Sequence, residues 1–260
     1  MLTEAKKMFL SVKYSIMKEM LNKWTFITNI IFMILNNATF IIEWVVFFSL
    51  KSTFGGYTIS KVILLWALAA GSYGISHFFF KDSYMLSDII NDGSLDSYLV
   101  QPRNILINAI TGNVDVSALG DILYAIIILI ICRPSFLEVI LFILFSFTGA
   151  LIITSIAVIF GSLAFWIKKC DAIADTMTNL VICFDTYPGA IFKGITKILL
   201  YTLVPVGLSS YMPMEVLNNF NLLYFLIIIG YTIFITLFAF YIFNKGLKRY
   251  SSSSLMVARI

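Results

Sequence analysis

Chemistry concentrates in the run Asp92-Gly93-Ser94-Leu95-Asp96-Ser97-Tyr98-Leu99-Val100-Gln101-Pro102-Arg103, where carboxylates, an arginine, a glycine and a proline stand close together. Gly93 admits a tight turn that a side chain would resist. Pro102 lacks an N–H and steers Val100 and Gln101 away from helix. Between them Leu95, Tyr98 and Leu99 share one face of a short helix, with Asp96 and Ser97 opposite. Such a segment suits docking to a soluble surface rather than bond-breaking. A second polar group, Asn36, Asn37 and Glu43, interrupts an otherwise apolar run. Polar groups in such a run usually face protein or water, so these are candidates for lining a path through the chain. Glu43 has an equal structural reading, hydrogen-bonded beside Trp44 near the far end of the run.

Other catalytic patterns are missing. The sequence contains no Gly-x-x-x-x-Gly-Lys-Ser/Thr loop; Gly189-Ala190-Ile191-Phe192-Lys193-Gly194 is a poor imitation. No Gly-x-Ser-x-Gly elbow, His-Glu-x-x-His pair or Cys-x-x-Cys pair occurs either. His77, the single histidine, reads as a packing residue ahead of a proton relay. Cys132, Cys170 and Cys183 lie in or beside apolar segments and read as small fillers, so no metal or other cofactor is expected on this chain.

The elements that must position these residues are hydrophobic. Of 260 residues, 60% are hydrophobic and only 12% charged, against roughly 25% charged in soluble domains. The mean hydropathy is +0.95. The class is therefore all-α integral membrane, and the net charge of +4 reflects basic flanks rather than nucleic-acid binding. Residues 1–23 read as an amphipathic interfacial helix, with Ala5, Met8, Phe9, Val12, Ile16 and Met20 on one stripe. Spans are expected over about Trp24–Leu50, Lys61–Phe80, Val114–Cys132, Phe136–Phe165, Asp171–Tyr187 and Leu222–Phe243. Ala67, Gly71 and Gly74 in the second, and Gly161 in the fourth, form small-residue surfaces for close helix packing. The polar region 81–113 falls between the second and third spans. The Pro- and Gly-broken region 188–219 falls between the fifth and sixth and reads as a re-entrant hairpin. Residues 250–260, with four consecutive serines, read as a flexible tail.

With both termini in the cytoplasm, only Lys51, Lys61, Arg133, Lys193 and Lys197 of the 18 Lys and Arg fall outside. That satisfies the positive-inside bias and puts Gly93 on the cytoplasmic face.

Gly93-x-Leu95-Asp96-x-x-Leu99-x-x-Pro102 resembles the signature of ABC-2 type permeases, the membrane subunits of exporters whose ATPase is a separate chain. Gly55-Gly56-Tyr57 resembles that family's Gly-Gly-Trp turn, with Tyr57 in place of Trp. Phe165-Trp166, Tyr187-Pro188 and Val204-Pro205 followed by Tyr211-x-Pro213 also fit, so the likeness runs along essentially the whole chain. It implies one permease domain over residues 1–260: six transmembrane helices, an amphipathic N-terminal helix, a cytoplasmic coupling helix and outer re-entrant helices. It implies a dimeric exporter of a bacterial plasma membrane, paired with an identical or paralogous permease and two ATPase subunits that hold the ATP and Mg. By the same likeness Asp92, Gly93, Leu95, Asp96, Tyr98, Leu99, Gln101, Pro102 and Arg103 form or brace the coupling element. The alternative, an ion-coupled secondary transporter or channel, would make Glu43, Asp121 and Asp185 the coupling groups.

Overall fold

A computed structural model describes residues 12–18, 20–50, 53, 56–167 and 170–251. Residues 1–11 and 19 of the expected interfacial helix, most of the tail, Gly55 and the Lys168-Lys169 pair lie outside the described residues, and Met20–Asn22 form a 3-10 turn. Residues 12–18 are helical. Val12 and Ile16 pack with Phe26 against Phe78, Val114, Val116 and Ala118.

The long helices are α1 (Lys23–Leu50), α2 (Ile59–Phe80), α6 (Leu119–Cys132), α7 (Phe136–Gly161), α8 (Asp171–Asp185) and α11 (Leu222–Leu247). Short helices α3 (Leu86–Asn91), α4 (Asp96–Leu99) and α5 (Ile105–Ile110) follow α2, while α9 (Gly194–Thr202) and α10 (Met212–Asn218) precede α11.

Helix α2 is the axis of the bundle, with α6 and α7 against it. Its small residues make this possible: a Cβ on Gly71 would meet Ser146 Oγ at 3.2 Å and Ala125 Cβ at 3.3 Å. One on Gly74 would meet Asp121 Cβ and Ile122 Cγ1 at 2.9 Å, and Ala67 is fully buried. Gly161 plays the same part at the end of α7, where its Cβ would stand 3.0 Å from Leu86 Cβ. All these small residues sit at helix contacts, where close backbone approach raises dispersion contact in lipid.

Helix α7 starts from a capping box in which the Ser135 side chain accepts from Glu138 N–H and the Glu138 carboxylate accepts from Ser135 N–H. Helix α11 buries one stripe, Ile228, Thr232, Ile235, Ala239, Phe243 and Gly246, and leaves large apolar side chains such as Leu226, Ile233 and Leu237 uncovered. Only Asn37 and Trp44 of α1 are buried. Apolar surface left open on this scale suits contact with lipid.

Among the described residues four helical stretches are long and apolar enough to cross a membrane, or five if the bent pair Gly194–Thr202 and Gly207–Asn218 counts as one. The expected third and fifth spans fall short of that test among the described residues. Helix α6, with its leading turn, covers Val116–Cys132, and α8 has 15 residues. At 1.5 Å per residue α8 reaches about 22 Å, less than the ~30 Å of a hydrocarbon core, and it carries Asp171, Asp175 and Asp185. The bent pair turns through 80°, with a π-helical turn at Gly207–Tyr211. Tyr211 locks this bent piece to α8 by donating its hydroxyl hydrogen to the Phe184 carbonyl at 2.6 Å.

Candidate functional site

Two constellations emerge. The first is the polar elbow between α2 and α6. Gly93 adopts φ +78°, a left-handed conformation that glycine takes without strain. This turn lets the Leu95 N–H reach back to the Ile89 carbonyl at 3.1 Å, folding α4 onto α3. Leu95 is thereby fully buried with Leu86, Ile90, Leu106, Ala109 and Ile110, and these pack on Val158 of α7 and on Ala239 and Phe243 of α11. One turn later Leu99 is 40% exposed and Val100 85% exposed. Asp92, Ser94, Ser97, Gln101 and Pro102 share that open side.

The shared face expected for Leu95, Tyr98 and Leu99 is therefore split. Leu95 belongs to the core, Tyr98 is half-buried, and Leu99 is open. The entry to the elbow is likewise divided, a 3-10 turn at Lys81–Ser83 preceding α3.

Polar side chains pin the rest of the elbow. Asn108 donates to Gln101 Oε1 at 2.6 Å and accepts from Arg103 Nη1 at 2.9 Å. Asp82 accepts from the Asn113 backbone N–H at 2.8 Å and from its side-chain amide at 3.0 Å. Burial, and then the Asp82 carboxylate, push the Tyr98 phenol above its ordinary value. Tyr250, just after α11, faces Asp96; burial and that carboxylate push its phenol up to about 12. Lys81 pairs with Asp115 at 3.4 Å, tying the start of the elbow to its exit. Asn108, Asn113 and Tyr250 were not singled out by spacing; Asn and Tyr side chains offer no periodic signal, and each partner comes from a different turn.

The second constellation is a cavity of about 260 Å³ within the bundle. Asn36, Asn37 and Phe40 of α1, Trp66 and Tyr73 of α2, Asp121 of α6 and Asp185 of α8 line it. Asn37 donates its side-chain N–H to Asp121 Oδ1 at 2.5 Å. Glu43 does not line the cavity; it is exposed on α1. His77 is held between Tyr73 and Tyr84, with ring centroids at 4.0 and 3.9 Å, as a packing histidine would be.

Sequence comparison adds one finding. The family described as ABC-2 family transporter protein matches residues 14–254. The chain belongs to the ABC-2 transporter family. As an ABC-2 protein it is a multi-pass membrane component, and its family is not that of the catalytic ATPase. The resemblance carried by Gly93-x-Leu95-Asp96 and the turns around it therefore marks this ABC-2 chain correctly. Neither the curated proteins nor the solved structures provide a match.

Proposed function

We propose that this ABC-2 protein is the permease subunit of an ATP-driven exporter, half of a translocation path completed by an identical or paralogous permease and driven by two separate ATPase subunits that bind the ATP and Mg. Six membrane crossings, with α6 and α8 as the two short ones, and cytoplasmic termini complete the reading. The outer helices α9 and α10 then form the re-entrant piece, and residues 81–113 lie under the bilayer.

One observation carries it: the elbow is packed on its inner side and carries an open apolar end. Its inner side, through Leu95 and Leu86, is packed into α7 and α11. Its outer side offers Leu99, Val100 and Pro102 among polar neighbours. A load applied at Leu99 would reach two long helices through packed side chains, because close-packed contacts shift as units rather than stretch. A solvated loop could not pass it on.

The test is copurification of the tagged chain with its ATPase. Leu99→Asp and Val100→Asp should insert into membranes and keep the native melting temperature while losing the ATPase. Retained association and transport in both variants would overturn the coupling role. Transport by the chain alone, without ATP, would favour an ion-coupled transporter instead, in which Glu43, Asp121 and Asp185 would be the coupling groups.

A further inference from the structure

The cavity between α1, α2, α6 and α8 holds two carboxyl groups that the permease reading does not employ. Asp121 is 4% exposed and Asp185 3% exposed. Asp121 Oδ2, Asp185 Oδ1 and Trp66 Nε1 make no hydrogen bond of ordinary length among the described residues, and the Ser210 side chain is the polar group beside the Asp185 carboxyl. Asn37 serves only the other oxygen of Asp121. No Lys or Arg is among the described residues lining the cavity. Buried carboxyl groups without a cationic neighbour either hold a proton or take in something positive. Aromatic rings line the same cavity: Phe40 and Trp66 lie with ring centroids 4.3 Å apart, and Tyr73 follows two turns along α2. Carboxyl groups and aromatic rings lining one small space are the combination that receives an organic cation, whose charge meets the acids and whose alkyl surface meets the rings. At about 260 Å³, the space is below the roughly 300–1,000 Å³ of sites for whole drug-sized ligands and suits a headgroup.

We propose that this cavity binds the positively charged head of an amphiphilic substrate, a quaternary ammonium or similar organic cation, through Asp121 and Asp185 with Trp66, Phe40 and Tyr73 around it. This deepens the permease reading by naming a substrate class, and it rests on that reading for its transport role alone. Binding is a property of this chain and needs no ATPase.

The experiment is equilibrium dialysis of radiolabelled benzyltrimethylammonium against the full-length chain in nanodiscs. Saturable binding is expected in the unmodified chain, weakened at least tenfold in Asp185→Asn, Asp121→Asn and Trp66→Leu, and unchanged in Asp175→Asn, an exposed carboxylate on the same helix as Asp185. Benzenesulfonate, the same ring with the opposite charge, should not compete. Asp121→Asn also disturbs Asn37, so if it fails to fold, Asp185→Asn and Trp66→Leu decide. Absent saturable binding, equal binding in Asp185→Asn, or displacement of the probe by millimolar sodium would overturn the proposal, the last in favour of an inorganic ion site. ATPase copurification, measured separately, tells a failure here from a failure of the permease reading.

Discussion

Leu95 and Leu99 stand one helical turn apart in the elbow, yet Leu95 is fully buried while Leu99 is 40% exposed. Their substitutions should therefore separate stability from docking. Leu95→Ala opens a cavity between α4, α7 and α11 and should cost about 2–5 kcal/mol. Leu99→Ala should stay within about 0.5 kcal/mol of the unmodified chain. Thermal unfolding in detergent, followed by loss of monodisperse elution, measures both. Equal shifts in melting temperature would mean that the two leucines share one environment.

Gly93 holds φ +78°, so a Cβ there strains the backbone. Gly93→Ala should destabilise the elbow by about 1 kcal/mol, and Gly93→Asn by less, because Asn tolerates the left-handed region better than Ala. Hydrogen exchange at the Leu95 amide, which closes the turn onto Ile89, reports the change locally. The order of protection should be Gly, then Asn, then Ala.

Two glycines in long helices should behave oppositely. A Cβ on Gly120 would stand 2.6 Å from Met33 Cβ and 2.8 Å from the Ile30 carbonyl oxygen, whereas one on Gly230 would meet nothing within 4 Å. Gly120→Ala should force α1 and α6 apart, at a cost of about 1–3 kcal/mol. Gly230→Ala should be neutral or stabilising by up to about 1 kcal/mol, since alanine is the better helix former. A melting comparison of the two variants checks both signs at once.

The Lys81–Asp115 pair gives a pH dependence. Burial pushes the Asp115 carboxyl up, but the Ser117 side chain, Lys81 and the Ser117 N–H together hold it below the usual carboxylate value. The unfolded chain, with its ordinary value near 3.9, then takes up the proton first as pH falls. The stabilisation is fully present above about pH 5 and is lost as the pH drops through the lower folded value. Asp115→Asn should melt below the unmodified chain at neutral pH, with the gap closing under acid. Lys81 and Asp115 are partly exposed, so the gap should be small and should shrink in high salt.

The elbow and the cavity were legible to different degrees. The elbow stood out because a cluster of Gly, Pro, Asp and Arg has no place in lipid, and its boundaries at Lys81 and Asn113 coincide with the Asp82–Asn113 hydrogen bonds that close it. The division of labour inside it was hidden. A short helix lies against two others, so helical spacing alone assigns Leu95 and Leu99 to one face, while burial depends on where α7 and α11 run. The cavity was half visible: Asn36 and Asn37 were marked as unusual in an apolar run, and Asp121 and Asp185 as coupling groups of the alternative transporter reading. Their meeting, across 84 residues for Asn37 and Asp121, leaves no trace in local spacing.

What the amino-acid order determined by itself was the solvent of each segment. Apolar runs, small-residue pairs and basic flanks set which stretches are helices against lipid and which must stay out of it, because the cost of a charge or an open backbone in hydrocarbon is local and additive. Tertiary structure alone decided the pairings: α2 as the axis, Glu43 outside and Asp185 inside, Leu95 as brace and Leu99 as open contact. Those depend on which neighbour covers a side chain, a long-range property that no single helix encodes.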